Sequence, residues 1–372
     1  MRIGFFCSLV VYVFISACTP YTETYAPIEA IGVHPNKTVY IGMESCKECH
    51  ATLVSDHIQT AHWLTSSKIN SPRLLPLLEA EKNYFDLKDS TRLSYTFQNE
   101  TLAQEASRFP FAAPFLVNSI EIIIGSGTKI GNSFLGWEDN SLYQLQGSFH
   151  LPSKQWMNSP GFPPVFQAKR SIFPRCLECH TTYAQSENWQ SPIPIDRYNK
   201  NNIVFGIDCQ RCHGEVVEHV KHHRKFPLDS TGKKIVRYSN FTQQQRIDMC
   251  ALCHSGVGDQ IFQPSFSFTP GDELRKFLNT QTTGAPDVHS NQVGLLTLSK
   301  CFLESEDMDC MTCHNPHQNE RENSIKFNAR CIQCHAEPKH TVSLVGKELD
   351  CIECHMPVQN SQQMKIQITS DS

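Results

Sequence analysis

Around residue 330 the chain reads Cys310-Met-Thr-Cys313-His314-Asn-Pro-His317, then Cys331-Ile-Gln-Cys334-His335, then Cys351-Ile-Glu-Cys354-His355. The pattern C-x-x-C-H therefore occurs three times within forty-six residues. Such a pattern is typical of a haem c attachment site, in which the two cysteines form thioether bonds and the adjacent histidine ligates the iron. The stretch predicts three closely spaced haem groups.

Four further copies lie upstream, and we number the motifs in chain order: motif 1 (Cys46–His50), motif 2 (Cys176–His180), motif 3 (Cys209–His213), motif 4 (Cys250–His254), motif 5 (Cys310–His314), motif 6 (Cys331–His335) and motif 7 (Cys351–His355). A disulfide framework and structural zinc are the alternatives for a cysteine-rich chain. Neither alternative requires a constant spacing or a histidine directly after every pair. The motifs therefore predict seven covalently bound haem c groups.

Fourteen of the 17 cysteines belong to these motifs. The predicted thioether residues are Cys46, Cys49, Cys176, Cys179, Cys209, Cys212, Cys250, Cys253, Cys310, Cys313, Cys331, Cys334, Cys351 and Cys354. The predicted proximal iron ligands are His50, His180, His213, His254, His314, His335 and His355.

The N-terminal residues 1–17 predict an export signal, because Arg2 precedes an apolar stretch that is short for a membrane span. The stretch ends in Ile-Ser-Ala-Cys18, which resembles a bacterial lipobox with Cys18 as the lipidated residue. An ordinary signal peptide with an incidental Cys18 is the alternative. Thr19 differs from the aspartate of inner-membrane retention signals, so we expect an outer-membrane lipoprotein that faces the periplasm or the cell surface.

The organisation that we predict is a signal (1–17), a polar tether (18–39), a heptahaem domain (40–358) and a polar tail (359–372). Alternating apolar runs separated by turn residues predict a small antiparallel β insertion at 84–158, between motifs 1 and 2. A haem group about every fifty residues leaves little room for a peptide core. We therefore expect a mainly α fold with much irregular structure, in which the haem stack serves as the core.

The segment Tyr40–His50, with His62 twelve residues after the motif 1 histidine, resembles the opening of the cytochrome c-554 family of multihaem cytochromes. The resemblance extends to about Pro357, and the family is related to hydroxylamine oxidoreductase and the pentahaem nitrite reductases. In that family the later histidine ligates a haem from its distal side, which implies this role for His62.

Other histidines outside the motifs are candidates for the second axial ligand. A family-like stretch after motif 3 contains His219 and His223, which share a helix face if both lie on a helix. His289 lies in another family-like stretch, and His340 lies between the last two motifs. His317 follows the motif 5 histidine too closely to share its haem, so we expect it to reach a neighbouring one.

The candidate distal ligands are thus His62, His219, His223, His289, His317 and His340, one fewer than seven irons require. His34, His57, His150, a methionine or no residue could complete the set. An open iron allows catalysis, whereas two histidines on every iron favour pure electron transfer.

Our leading hypothesis is an electron carrier, and the alternative is a reductase or oxidase of small nitrogen or sulfur species at one five-coordinate haem. The chain lacks the C-x-x-C-K motif of the related nitrite reductases, which favours the carrier. A structural subunit of a polymeric or membrane-bound redox complex would have the same motifs. We expect other redox proteins or quinol-linked complexes as partners, with a small inorganic substrate for the enzyme alternative. The haem propionates add about fourteen carboxylates to an acidic chain, which argues against nucleic acid.

Two further features allow alternative interpretations. A basic cluster is either a docking surface for an acidic redox partner or, as we prefer, a solvated face that offsets haem propionates. Its members are Lys221, Arg224, Lys225, Lys233, Lys234 and Arg237. Cys301 is outside the motifs, and we expect it to be buried and inert rather than a reactive thiol.

The motif count gives a first test. The mass of the mature holoprotein should exceed that of the polypeptide by seven haem groups, and replacing both cysteines of one motif should remove one of them. A holoprotein with far fewer haem groups would contradict the motif assignment.

Overall fold

The computed structural model describes residues 25–69, 72–98, 101–110, 113–127, 131–191, 193–256, 260–279, 285–288, 290–336, 350–357, 359–361 and 367–368. The predicted signal (1–17), the predicted lipidation site Cys18 and the predicted iron ligands His289 and His340 lie outside the described residues. Among the described residues, no helix is both long and apolar enough to cross a bilayer.

The helices are short. In chain order they are α1 (Met43–His57), α2 (Leu75–Leu78), α3 (Pro174–His180), α4 (Cys209–His213), α5 (Val217–Lys225), α6 (Gln243–His254), α7 (Gln292–Leu298), α8 (Lys300–Leu303), α9 (Cys310–Cys313), α10 (Ser324–Cys334) and α11 (Cys351–His355). Single turns of 3₁₀ helix occur at Trp63–Thr65, Pro72–Leu74, Tyr238–Asn240, Ser265–Ser267 and Leu274–Lys276.

The strands occupy mainly the N-terminal half. They are β1 (Gly32–Val33), β2 (Val39–Tyr40), β3 (Ser66–Lys68), β4 (Tyr84–Asp86), β5 (Thr91–Gln98), β6 (Thr101–Arg108), β7 (Leu116–Ile120), β8 (Ile122–Ile124), β9 (Asn132–Glu138), β10 (Ser141–His150), β11 (Gln155–Asn158), β12 (Arg170–Ser171), β13 (Thr181–Ser186), β14 (Tyr198–Phe205), β15 (Gln260–Ile261), β16 (Leu278–Asn279), β17 (Gln359–Asn360) and β18 (Gln367–Ile368).

Two antiparallel sheets dominate this half. The larger sheet has the order β11-β10-β9-β8-β3, with β12 also paired to β10, and the smaller has the order β4-β5-β6-β7. The remaining strands form four two-stranded antiparallel sheets along the chain: β1-β2, β13-β14, β15-β16 and β17-β18. Strand β5 alternates buried and less buried residues, as expected of a strand with one face on a core, whereas β10 is buried along almost its whole length. Strand β10 is therefore central.

The two large sheets share an apolar core. The smaller sheet contributes Tyr95 and Leu102, and the larger contributes Phe134, Phe149 and Trp156. The Tyr95 and Trp156 rings are nearly parallel, with centroids 3.4 Å apart. Aromatic side chains bury large apolar areas, so this layer stabilises the β region without any cofactor.

Gly147 allows the two sheets to approach at this point. A Cβ atom at this position would lie 1.4 Å from Tyr95 Oη, so any larger residue would displace the tyrosine. Gln104 fixes the contact, because its Oε1 accepts hydrogen bonds from Tyr95 Oη and from the Gly147 amide, both at 3.1 Å.

The structure corrects our expectation of a mainly α fold. The chain is a mixed α/β protein with 32% helix and 26% strand. Its antiparallel β region begins at β3 and continues to β14, so it is not a small insertion. The segment between motifs 1 and 2 is long enough to bury its own side chains, and Leu93, Ile123 and Phe134 are fully buried there. The haem stack is therefore not the core of this half.

The sheet also positions the first motif helices. Leu177 lies between the cysteines of motif 2 and packs with Ile122, Leu135 and Leu142 of the larger sheet. Helix α3 is thereby held against the sheet, and β13 follows it without a loop.

The sheet core gives a second test. Phe134→Ala should lower the free energy of unfolding by about 3–5 kcal/mol, because it removes a fully buried aromatic ring. Phe97→Ala in the smaller sheet is the matched control, since that ring is 41% exposed, and it should cost less than about 1 kcal/mol. Denaturant unfolding monitored by tryptophan fluorescence measures both. Equal losses would argue against a peptide core in this region.

Candidate haem sites

All seven motifs lie on helices or at their ends. Residues three and four apart share one face of a helix, so the two cysteines and the histidine of a motif point to the same side. In motifs 5 and 6 the histidine is the C-cap residue that follows α9 and α10. The local structure thus presents each predicted attachment set on one surface.

An aspartate precedes the first cysteine in motifs 3, 5 and 7 and caps the motif helix. The carboxylate oxygen accepts a hydrogen bond from a backbone amide two residues later, at 2.9 Å for Asp208, 2.8 Å for Asp309 and 3.1 Å for Asp350. Such caps satisfy otherwise unpaired amides and stabilise very short helices. The pattern D-C-x-x-C in the sequence is the signal for these caps, and our predictions did not include it.

The residues between the cysteines hold the opposite face of the helix. In motif 3, Gln210 donates a hydrogen bond to the Val39 carbonyl and accepts one from the Ile41 amide, which fixes α4 to the N-terminal segment. In motif 4, Ala251 and Leu252 are buried in an apolar cluster. In these two motifs one face of the helix is thus packed on protein, and the other is available for attachment.

Three of the predicted distal ligands lie next to a motif histidine from another part of the chain. Ring centroids are 6.4 Å apart for His50 and His219, 6.1 Å for His213 and His317, and 6.1 Å for His62 and His254. Metal–imidazole bonds are about 2 Å long, so two such bonds and the two half-rings add up to about this separation. The geometry fits one iron between the rings of each pair.

Hydrogen bonds orient these rings. His219 Nδ1 lies 2.7 Å from the Lys233 carbonyl oxygen, and His254 Nδ1 lies 3.1 Å from Gln292 Oε1. An Nδ1–H donor in these bonds leaves the Nε2 lone pair available for a metal. Neither acceptor was identified from the sequence.

Burial also keeps the rings neutral, as metal ligation requires. It lowers the pKa of His62 to about 4, and it lowers the pKa of His213, His254 and His317. The pKa of His219 is lowered for the same reason.

The other candidate histidines that the structure describes have different surroundings from these three. His223 lies on the same helix as His219, but their rings meet edge to face at 4.5 Å, which is too close for an iron between them. Its Nε2 is buried and has no hydrogen-bond partner. His57 Nε2 lies 2.8 Å from the Ile207 carbonyl oxygen, so that nitrogen is already used. His34 packs edge to face on Tyr183.

Motif 2 has a partner that sequence reasoning missed. Thr65 Oγ1 lies 2.7 Å from His180 Nδ1, and the neighbouring Ser66 hydroxyl donates to the His180 carbonyl. Thr65 ends a 3₁₀ turn and Ser66 begins β3, so the edge of the larger sheet orients this histidine. No local pattern marks a threonine that meets a histidine from a distant segment.

Cysteine thiols of different motifs meet in pairs. Thiols of different motifs lie close enough to shift each other's pKa, which relates motifs 1 and 3, 2 and 4, 4 and 5, and 6 and 7 through the pairs Cys46–Cys209, Cys179–Cys253, Cys250–Cys310 and Cys331–Cys351. The Cys179 thiol also lies 3.9 Å from the Cys253 carbonyl oxygen. The fifteen described cysteines form no disulfide. The attachment positions of these motifs are therefore adjacent.

The basic cluster is partly neutralised by its own neighbours. Arg224 forms two hydrogen bonds with Glu48, at 2.6 and 2.9 Å, and Lys221 pairs with Glu218 at 2.8 Å. These pairs reduce the charge available to a partner.

Cys301 is exposed, which corrects our expectation of a buried thiol.

Comparisons with known proteins agree with the motif analysis. Residues 159–214, which include motifs 2 and 3, match the family model described as cytochrome c554 and c-prime. The fold is similar to the crystal structure of outer cell wall cytochrome OcwA, with a TM-score of 0.56, 15% sequence identity, and coverage of 89% of this chain and 79% of that chain. No curated protein matches the sequence. The family resemblance inferred from the sequence is thus confirmed by the match at 159–214.

Asp208 gives a pH-dependent test. Burial raises the pKa of its carboxyl group from 3.8 to about 6. Because the folded pKa is the higher one, the energetic cost of ionising Asp208 is absent below the unfolded pKa and fully present above the folded one. Asp208→Asn keeps a capping oxygen and removes the charge. It should stabilise the fold by up to about 3 kcal/mol near about pH 7.5, and by much less near about pH 4.

Thermal unfolding at the two pH values measures this effect. Asp350→Asn is the control, because it is the same change at another motif cap that is only partly buried. A gain for Asp208→Asn that does not change with pH would contradict the assignment.

Proposed function

We propose that this multihaem c-type cytochrome, which contains a segment of the cytochrome c554 and c-prime family, is an electron-transfer protein that holds seven haem c groups. The observation that supports this most strongly is the pairing of histidines from distant segments at separations that fit one iron. Bound haem c supplies iron that accepts and releases one electron at a potential set by its ligands and surroundings.

The pairs suggest specific ligand assignments. We propose that His219 is the second ligand at motif 1, His317 at motif 3 and His62 at motif 4. The hydrogen bonds of His219 and His254 orient their rings toward this role. His223, His289 and His340 remain candidates for the other irons.

Two histidines on an iron leave no open position for a substrate, which favours electron transfer over catalysis at these three motifs. The chain's contribution is to hold the rings, to bury His62 and His254 in part, and to keep the imidazoles neutral. No contact among the described residues favours the reductase or oxidase alternative over the carrier.

Contacts between cysteines suggest a spatial order for the motifs. Besides the thiol pairs, Cys212 of motif 3 lies close enough to Cys253 of motif 4 for their charges to interact. The same holds for Cys313 of motif 5 with Cys331 and Cys334 of motif 6. Together they support the series 1-3-4-5-6-7, with motif 2 beside motif 4. Such a series would let electrons cross the protein without a diffusing cofactor.

We further propose that the chain is exported and anchored to the outer membrane through Cys18, facing the periplasm or the cell surface. This proposal rests on the signal-like residues 1–17 and on the fact that haem c is attached after export. Other redox proteins or quinol-linked complexes are the partners that this location and cofactor content suggest.

An electron paramagnetic resonance spectrum of the oxidised holoprotein tests the function. With and without nitrite, hydroxylamine or cyanide, a carrier should give low-spin signals that the ligands leave unchanged. A high-spin component that responds to one of them would instead favour the enzyme alternative.

A variant of His317 tests crossed ligation, by which we mean that a histidine near one motif ligates the iron of another motif. His317→Ala should convert one iron to a high-spin, cyanide-sensitive state, because it removes the ring paired with His213. Adding Cys209→Ala and Cys212→Ala should abolish that signal, whereas adding Cys310→Ala and Cys313→Ala should leave it. The reverse outcome would assign His317 to motif 5. His222→Ala is the matched control, since His222 is outside the candidate set and its Nε2 lies 3.0 Å from Asp229 Oδ2.

A further inference from the structure

The contact between α6 and α9 joins motif 4 to motif 5. Helix α6 contains Cys250 and His254, and α9 begins at Cys310. Hydrogen bonds run from α6 to Asp307, Met308 and Asp309, directly before Cys310, so the two motifs lie side by side. In the proposed series this contact lies between the first four haem groups and the last three.

Arg246 of α6 forms the main polar bridge across this contact. Its Nε donates to Asp309 Oδ2 at 2.6 Å, and its guanidinium also pairs with Asp307. The arginine side chain is 11% exposed and that of Asp309 is 9% exposed. A planar guanidinium makes such paired contacts in a fixed orientation, and exclusion of water strengthens them.

The partner of Arg246 is also the cap of the motif 5 helix. Asp309 Oδ1 accepts from the Met311 amide at 2.8 Å, while the Asp309 amide donates to Thr312 Oγ1 at 3.1 Å. One carboxylate therefore orients the first turn of α9 through one oxygen and binds α6 through the other. Arg246 Nη1 also donates to the Phe241 carbonyl at 3.0 Å, which ties the guanidinium to the start of its own helix.

A second hydrogen bond also joins α6 to the segment before motif 5. Gln243 Nε2 of α6 donates to the Met308 carbonyl at 2.8 Å, one residue before Asp309. The segment that leads into motif 5 is thus held to α6 at successive residues, and Arg246 contributes the charged part of that contact.

We infer that Arg246 is a positioning residue that fixes motif 5 against motif 4, and that electron transfer between the first four and the last three haem groups depends on it. The inference rests on the proposed function. It assigns to an arginine outside every motif the control of one step in the series.

The test uses the holoprotein and its exposed thiol. Cys301 lies near Cys313 of motif 5 and Cys331 of motif 6, so a ruthenium photoreductant attached to it would deliver an electron on the motif 5 side. His62→Met marks the motif 4 side, because a methionine ligand raises the potential of its haem and changes its absorbance. The rate of reduction at the marked haem after a flash is the readout.

In this background, Arg246→Gln should slow reduction of the marked haem by about tenfold, as expected when an outer contact that orients a metal site is lost. Arg246→Lys keeps the positive charge but loses the paired N–H donors of the guanidinium, so it should slow electron transfer less than Arg246→Gln does. Arg92→Gln is the matched control, because Arg92 makes a comparable pair with Asp86 at 2.7 and 3.0 Å in a sheet that contains no motif. An unchanged rate in Arg246→Gln with all haem groups attached would overturn the inference.

Failure of the proposed function would look different. If His62→Met leaves the spectrum of the unlabelled protein unchanged, the ligand assignment at motif 4 is wrong. The positioning role of Arg246 is then tested by determining the structures of the variants. Cryo-electron microscopy of the Arg246→Gln and Arg92→Gln holoproteins gives the distance between the motif 4 and motif 5 irons. We expect a longer distance only in Arg246→Gln, and equal distances would overturn the inference.

Discussion

An iron ligated by two histidines needs an imidazole on each face, and a C-x-x-C-H motif supplies only one of them. The second ring must come from elsewhere, which makes ligation a constraint on the tertiary fold. Three pairs of rings meet this requirement: His50 with His219, His213 with His317, and His62 with His254. Each pair joins segments that are far apart in the sequence, so the pairs interlock α1, the segment after α1, α4, α5, α6 and the segment after α9.

The β region provides the rigid part to which this interlocked set is attached. Two antiparallel sheets bury an aromatic core of their own, and Leu177 holds the helix of motif 2 against the larger sheet. The same sheet presents Thr65 to His180. Peptide packing and cofactor binding thus have separate places in the fold, and they meet at the start of β3 and along α3.

Motifs that are local in sequence could be recognised, whereas contacts that depend on distant segments could not. The motifs predict the attachment residues, the family resemblance implies a ligand role for His62 and marks His219 as a candidate, and the spacing from His314 marks His317. The extent of the sheets was underestimated, because β3 and β12 lie on either side of the predicted segment 84–158 and join the larger sheet by pairing with β8 and β10. The Thr65–His180 and Arg246–Asp309 contacts join residues from different segments, so no local pattern reveals them.

A structure of the holoprotein in which each iron is assigned to its motif is the decisive measurement for crossed ligation. We predict that His219 ligates the iron of motif 1, His317 that of motif 3 and His62 that of motif 4. Ligation of each iron by histidines from its own neighbourhood in the sequence, with these three rings unbound, would contradict crossed ligation.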